Sequence, residues 1–507
     1  MDPHPISSDA RLDATLVEQV ARSGTPLALD DAARERVARC RDLLDAALDD
    51  GLPHYGINTG FGSLARERIA PDDLEELQRN LVRSHAAGTG APLPTDVVRA
   101  TMTVLAFSLA RARSGVRPEV IDRICLLLDR GVTPVVPESG SVGASGDLAP
   151  LAHIAQVLMG EGEAHSRRER LPGGEALRRA GVEPITLGPK EGLALLNGTH
   201  LMAGRFALIA CDLRRVVRPA LLACAMSIDA ARASHGFLDP RVYEARNQPG
   251  PAEIAGDLRS MLQGSTIAES HRENDPRVQD PYSFRAAPLV IGAAHDTVMP
   301  CLARLDDELN AVTDNPLIFE ANDGSPDIIS AGCFHGMPIA LPLDTLTIAL
   351  THIAGIAERR MYHILSAFDP ESRQRAFMSP KPGVMSGFMV VQYAAAAMCN
   401  ELIGVCTPAS VANLSTCAGM EDYNSFGPRA AAKAARAVEL LRSVVACELL
   451  TAAEGVEAHR PHRSGDRVER ALSIIRGAVE PLSRDRSPSP DVESIERLIT
   501  RGAFADV

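Results

Sequence analysis

Three consecutive residues, Ala144-Ser145-Gly146, carry the least ordinary chemistry in the chain. They sit in residues 133–160, TPVVPESGSVGASGDLAPLAHIAQVLMG, where a Gly/Ser/Pro-rich loop runs straight into an apolar pattern at helical spacing. The triplet by itself leaves three readings open. One is a tight turn before a helix. Another is a serine nucleophile, although Gly146 directly follows Ser145 and the Gly-x-Ser-x-Gly elbow is absent. The last is backbone self-modification, in which the amide nitrogen of Gly146 attacks the Ala144 carbonyl and loss of water turns the Ser145 side chain into an exocyclic methylidene. Each residue type suits that chemistry: glycine tolerates the compressed geometry, alanine is small, and serine supplies a β-hydroxyl that can leave. Asp147 is expected to cap the following helix, with Pro150 in its first turn, so the triplet would face the positive end of a helix dipole.

Other chemistry-bearing residues are spread along the chain. Tyr55 lies in the glycine-rich stretch YGINTGFG, which reads equally as a binding loop or a packed surface loop. His85 ends a helical pattern in Arg83-Ser84-His85. Asn197 precedes Gly198 and reads as a helix C-cap if nothing more. Tyr282 and Arg285 share the Pro-containing run VQDPYSFR, and Glu421 lies between two helical stretches. Neither a GxxxxGK[ST] nor an HExxH pattern occurs, and His459 and His462 stand in an Arg/Pro-rich segment. No nucleotide or metal is therefore expected.

The elements that position these residues are expected to be mainly helical. With 507 residues, the chain has room for roughly three domain-sized units. It is 45% apolar, lacks Trp and has only 4% aromatics, a balance suited to helix packing rather than an aromatic-rich sandwich. A net charge of −13 argues against nucleic acid or an anionic membrane as partner. The ten cysteines are scattered without a CxxC pair, the N-terminus is polar, and no uninterrupted apolar run reaches about 18 residues. These features point to reduced thiols and a cytoplasmic location.

Helical spacing predicts helices near 30–50, 73–87, 96–130, 202–233 (kinked at Pro219), 287–312, 338–367, 387–405 and 428–453. A charged excursion after Gly160 reads as a hairpin or a surface flap, and residues 313–319 and 328–335 read as short strands around a turn. The expected division is residues 1–200 carrying the Tyr55 and Ser145 loops, 201–480 as a bundle of long helices, and 481–507 as a flexible segment ending in a short helix.

Taken together, YGINTGFG (55–62), GSVGASGDLAPLAH (140–153), KEGLALLNGT (190–199), VQDPYSFR (278–285) and TDNPLIF (313–319) resemble the aromatic amino acid ammonia-lyase family, over about residues 50–500. The resemblance is strongest to the branch acting on L-histidine. It implies a mainly α fold with a central helix bundle and a homotetramer whose active sites are shared between subunits. It also implies that Ala144, Ser145 and Gly146 become a 4-methylidene-imidazol-5-one group. By the same resemblance Tyr55 and Tyr282 are catalytic, and Tyr55 is the candidate base for the β-proton. Arg285 clamps the substrate carboxylate, while His85, Asn197, Gln279, Phe334 and Glu421 contact the substrate. The implied reaction is elimination of ammonia from L-histidine to give trans-urocanate.

A buried imidazole needs hydrogen-bond partners, which His85 and Glu421 can supply and which a phenyl ring would leave unpaired. The chain departs from the histidine-specific pattern at His200, Met202, Cys333, Met420 and Tyr423. A tyrosine or phenylalanine lyase, or an aminomutase, therefore stays open beside the histidine reading. A helical scaffold without catalysis also stays open, although the joint presence of Ala144-Ser145-Gly146, Tyr55, Tyr282 and Arg285 argues against it.

Overall fold

A computed structural model describes residues 2–507. Helices hold 58% of the chain and strands 8%, so the mainly helical architecture is as expected. By compactness the chain divides into two units, and neither is a continuous stretch. The first gathers the chain up to Cys211 with Leu302–Asp344 and Pro408–Ala432; the second gathers Asp212–Cys301, Thr345–Thr407 and Lys433–Val507. This differs from the consecutive segments expected from the sequence, because contacts rather than chain order draw the line.

The first unit is built on short and medium helices. Asp31–Leu48 is capped by Asp30, whose side chain accepts from the Ala33 N–H. The expected helix at 96–130 is two, Thr95–Ala110 and Pro118–Arg130, since the intervening residues 111–117 include a left-handed Gly115 and Pro118 starts the second helix at N1. Almost every side chain of Thr95–Ala110 is buried, which marks it as core on all faces. Leu74–His85, Leu148–Leu158 and Glu191–Leu196 pack mutually and carry three of the candidate residues at their ends.

Small sheets trim this unit. The predicted hairpin is Glu163–Ser166 with Glu169–Pro172, and Val132–Pro134 pairs with its first strand. Leu317–Glu320 pairs antiparallel with Pro326–Ile329. The second of these strands ends earlier than its expected span of 328–335, and residues 331–336 turn instead.

The second unit packs stretches of the long helices His200–Ala230, Ala287–Glu308, Met337–Ser366 and Gly427–Glu457 with Met389–Val405, Pro249–Leu262 and Asp466–Arg476. Pro219 lies inside its helix, where the kink was expected. Met337–Ser366 is long and apolar enough to cross a bilayer, and 56% of its apolar window is buried within the protein. Its Arg360 is fully buried and makes a two-pronged ion pair with Glu448 at 2.5 and 2.9 Å, while the Ser227 hydroxyl donates to the same carboxylate at 2.8 Å.

The C-terminal segment is docked rather than flexible. Asp485 accepts from the backbone N–H groups of Ser386 and Gly387 at 2.7 and 3.0 Å, Arg486 pairs with Asp491, and Ile495, Leu498, Ile499 and Phe504 are buried.

Removing one member of the buried Arg360–Glu448 pair strands the other charge away from water. Arg360→Met is expected to cost about 3–5 kcal/mol in chemical denaturation, and joint replacement with Glu448→Leu should recover most of that. A double variant no more stable than the single one would assign the loss to packing instead of the stranded charge.

Candidate active site

Every candidate in the first unit except Gly146 lines one cavity of about 950 Å³: Tyr55, His85, Ala144, Ser145, Asn197, Phe334 and Glu421 all contribute. Gly146 lies buried directly behind Ser145.

The Ala144-Ser145-Gly146 loop is fixed on several sides. The Phe426 N–H donates to Val142 O at 2.8 Å, and the Ser425 hydroxyl donates to Gly143 O at 2.9 Å. The Ser141 hydroxyl donates to Gly146 O at 3.1 Å. Gly198 runs alongside: its carbonyl accepts from the Asp147 N–H at 2.7 Å, and its N–H donates to Ser145 O at 3.5 Å. Gly146 has φ +74, and a Cβ there would stand 2.1 Å from Gly198 O, so only glycine permits this approach.

Asp147 does not cap its own helix. Its Oδ2 accepts from the N–H groups of Leu201 and Met202 at 2.9 and 3.1 Å, closing the N-terminus of His200–Ala230 instead. Burial pushes the Asp147 carboxyl up to about 7; those two N–H groups pull it down, and nearby Glu308 adds to the rise.

Glu421 holds a partner that sequence reasoning did not anticipate. The Ser145 hydroxyl donates to one of its oxygens at 2.7 Å, and the Thr416 hydroxyl donates to the other at 2.7 Å. Tyr55 Oη accepts from the Gly62 N–H at 3.1 Å. That donor directs its positive end at the phenolic oxygen, the polarity that accommodates negative charge there. The His85 Nδ1 lies 2.9 Å from Leu81 O, a carbonyl that can only accept, so Nδ1 is the donor of that bond.

Asn197 is positioned by a relay that the sequence marked only as motif text. The Lys190 ammonium donates to Asp314 at 2.6 Å with both groups buried, and Asp314 also accepts from the Asn315 N–H at 2.6 Å. Asn315 O then accepts from Asn197 Nδ2 at 3.0 Å. The Asn197 Oδ1 is buried without a partner among the described residues. The motifs at 190–199 and 313–319 thus meet in space, which single-residue reasoning did not foresee.

The remaining candidates form a separate cluster in the second unit and do not line the cavity. Arg285 stacks its guanidinium 4.5 Å over the Tyr282 ring, and it donates to Asp280 O and to Gln279 Oε1, each at 2.9 Å. Tyr282 is 72% exposed. No group of His, Cys, Asp and Glu among the described residues is arranged to hold a metal ion.

Residues 12–477 match the family model for aromatic amino acid lyases. The chain is 48% identical over 500 residues to a histidine ammonia-lyase from Anaeromyxobacter dehalogenans (strain 2CP-C), covering 96% of this chain and 97% of that protein. It is 45% identical over 493 residues to a histidine ammonia-lyase from Sorangium cellulosum (strain So ce56), covering 96% of each. Among solved structures, histidine ammonia-lyase from Trypanosoma cruzi superposes with a TM-score of 0.89 at 34% identity, covering 99% of this chain and 94% of that one. A tyrosine aminomutase from Streptomyces globisporus gives 0.92 at 31% identity, covering 99% and 98%. With nearly its whole length matched, this chain belongs to the aromatic amino acid lyase family.

Proposed function

We propose that this protein eliminates ammonia from L-histidine to give trans-urocanate, with a 4-methylidene-imidazol-5-one group formed from Ala144, Ser145 and Gly146. The observation that carries the reading is the placement of that tripeptide in one cavity wall together with Tyr55, His85 and Glu421. The residues fit the group: Gly146 is bare of side chain where Gly198 presses closest, Ala144 is small and buried, and Asn197 Oδ1 is a buried polar atom awaiting a partner. When formed, the ring supplies an electrophilic carbon that draws electron density from the substrate's amino nitrogen and makes ammonia a better leaving group.

The chain's own residues do the rest. Tyr55 Oη takes the β-proton, with the Gly62 N–H holding the oxygen in place. Glu421 offers an acceptor to the single N–H of a neutral imidazole, with the His85 ring as a second polar contact, and the Glu421 oxygen bound to Ser145 becomes free once that hydroxyl has left as water. Arg285 suits the substrate carboxylate as a planar two-pronged donor, and Tyr282 beside it can relay protons at the amino group.

Because Gln279, Tyr282 and Arg285 are absent from the cavity lining, the reading includes a homotetramer in which another copy supplies them. Exposed apolar side chains support assembly, among them Phe368 at 81% and Val384 at 71% exposure. A cytoplasmic location accords with ten cysteines that are all unpaired. A second reading, a tyrosine or phenylalanine lyase or aminomutase, is favoured by Met420 and Tyr423, which line the cavity on either side of Glu421 and Asp422.

The deciding experiment offers purified protein L-histidine, L-tyrosine and L-phenylalanine and follows the absorbance of the conjugated acid product. Growth with histidine alone is expected; growth only with the other two would move the assignment to the second reading. Ser145→Ala should abolish turnover while helical content stays unchanged. Tyr55→Phe should slow turnover about a hundred- to ten-thousandfold, the range for losing a general base, and a mild effect would remove it from that role. Glu421→Gln should hurt histidine far more than phenylalanine, and equal losses would undo the pocket argument. Co-expressing the inactive Tyr55→Phe and Arg285→Ala chains should restore activity in mixed oligomers; no recovery would mean that both residues serve one site from one chain.

A further inference from the structure

We infer that His200 is a positioning residue for closure of the Ala144-Ser145-Gly146 ring, acting through Gly198; the inference rests on the prosthetic-group reading above. His200 begins the His200–Ala230 helix, is 2% exposed, and neither of its ring nitrogens has a partner among the described residues. Leaving such polar atoms unpaired in the interior is destabilising, so a residue of this kind is poorly explained by stability alone. Burial lowers its titration to about 4, which keeps the ring uncharged near neutral pH.

What the ring touches explains its place. Gly198 turns its N–H and C=O edges to the tripeptide, donating to Ser145 O and accepting from the Asp147 N–H. On the side where a side chain would project, a Cβ at Gly198 would stand 2.5 Å from His200 Cε1, 3.0 Å from His200 Nδ1 and 2.6 Å from Thr313 Oγ1. Gly146 is thus bracketed by bonds from both neighbours to Gly198, and the imidazole blocks the space into which Gly198 would relax.

Ring closure depends on that immobility. The Gly146 nitrogen must bond to the Ala144 carbonyl carbon. The carbonyl oxygen then leaves as water with the hydrogens of the Gly146 and Ser145 amides, giving a C=N bond. A second water forms from the Ser145 hydroxyl and its Cα hydrogen, giving C=C. No oxidant is needed, and the mature chain is lighter by two water molecules. Intramolecular additions are steep functions of approach: about 1 Å of misplacement costs about a hundredfold in rate. His200 supplies no atom to the reaction; its volume holds Gly198, and Gly198 holds the tripeptide.

The test compares wild type with His200→Gln, His200→Asn and His200→Ala, following intact mass with time after synthesis alongside far-ultraviolet circular dichroism. Wild type and the space-filling His200→Gln should both reach the two-water loss. His200→Ala should mature about a hundredfold more slowly at unchanged helical content, with His200→Asn between. If folded His200→Ala matures at the wild-type rate, the inference is overturned. Should that variant fail to fold, His200→Asn decides in the same way. A wild-type chain that never loses two waters would instead overturn the prosthetic-group reading, and the inference with it.

Discussion

The pairing of Gly146 with Gly198 is the contact on which the rest of this site depends. Two glycine backbones lie so close that any β-carbon at Gly146 would collide with the opposite carbonyl. The two meet as an isolated parallel bridge outside any of the small sheets. The restraint comes from around the contact: Ser425 and Phe426 tie down Val142 and Gly143, and Asp147 fastens itself to the start of the next long helix. These bonds are short-range and directional. They hold a loop that would otherwise sample many conformations, and that loop carries Ala144-Ser145-Gly146.

Charge is placed around the cavity with similar economy of parts. Lys190 and Asp314 are both withdrawn from water, and neither would be tolerated there alone. Their bond fixes the backbone of Asn315 and, through it, the amide of Asn197. Glu421 is kept in place by hydroxyl donors on both oxygens rather than by a cation, so it remains an acceptor for an incoming N–H group.

Much of the fold was legible because long helices announce themselves through apolar periodicity. Met337–Ser366, Met389–Val405 and Gly427–Glu457 begin and end within a few residues of where their patterns do. The break between Thr95–Ala110 and Pro118–Arg130 was signalled by Gly115, Pro118 and the polar run of residues 111–117, but the apolar patterns on either side were read as one helix. The site was legible as residue types and less so as contacts. Asp147 finds its partners 54 and 55 residues away, and Ser145 finds Glu421 at a separation of 276. Local reasoning assigned Asp147 to the nearer helix because sequence proximity is all it can weigh. The C-terminal run RDRSPSPD looked like a linker by composition, yet Asp485 and Arg486 anchor it through specific bonds that composition does not encode.

The discontinuity of the first unit has a consequence in time. Its cavity wall is assembled from residues near 55–85, 144–148, 193–197, 315–335 and 417–423, so contacts of very long sequence separation must form before the wall exists. A nascent chain emerging from its N-terminus exposes the tripeptide early and receives Ser425 and Phe426 only when about four-fifths of the polypeptide has been made. Until then nothing from that late segment ties down Val142 and Gly143. The wall around the tripeptide is thus finished only after most of the chain has been made, long after residues 144–146 themselves.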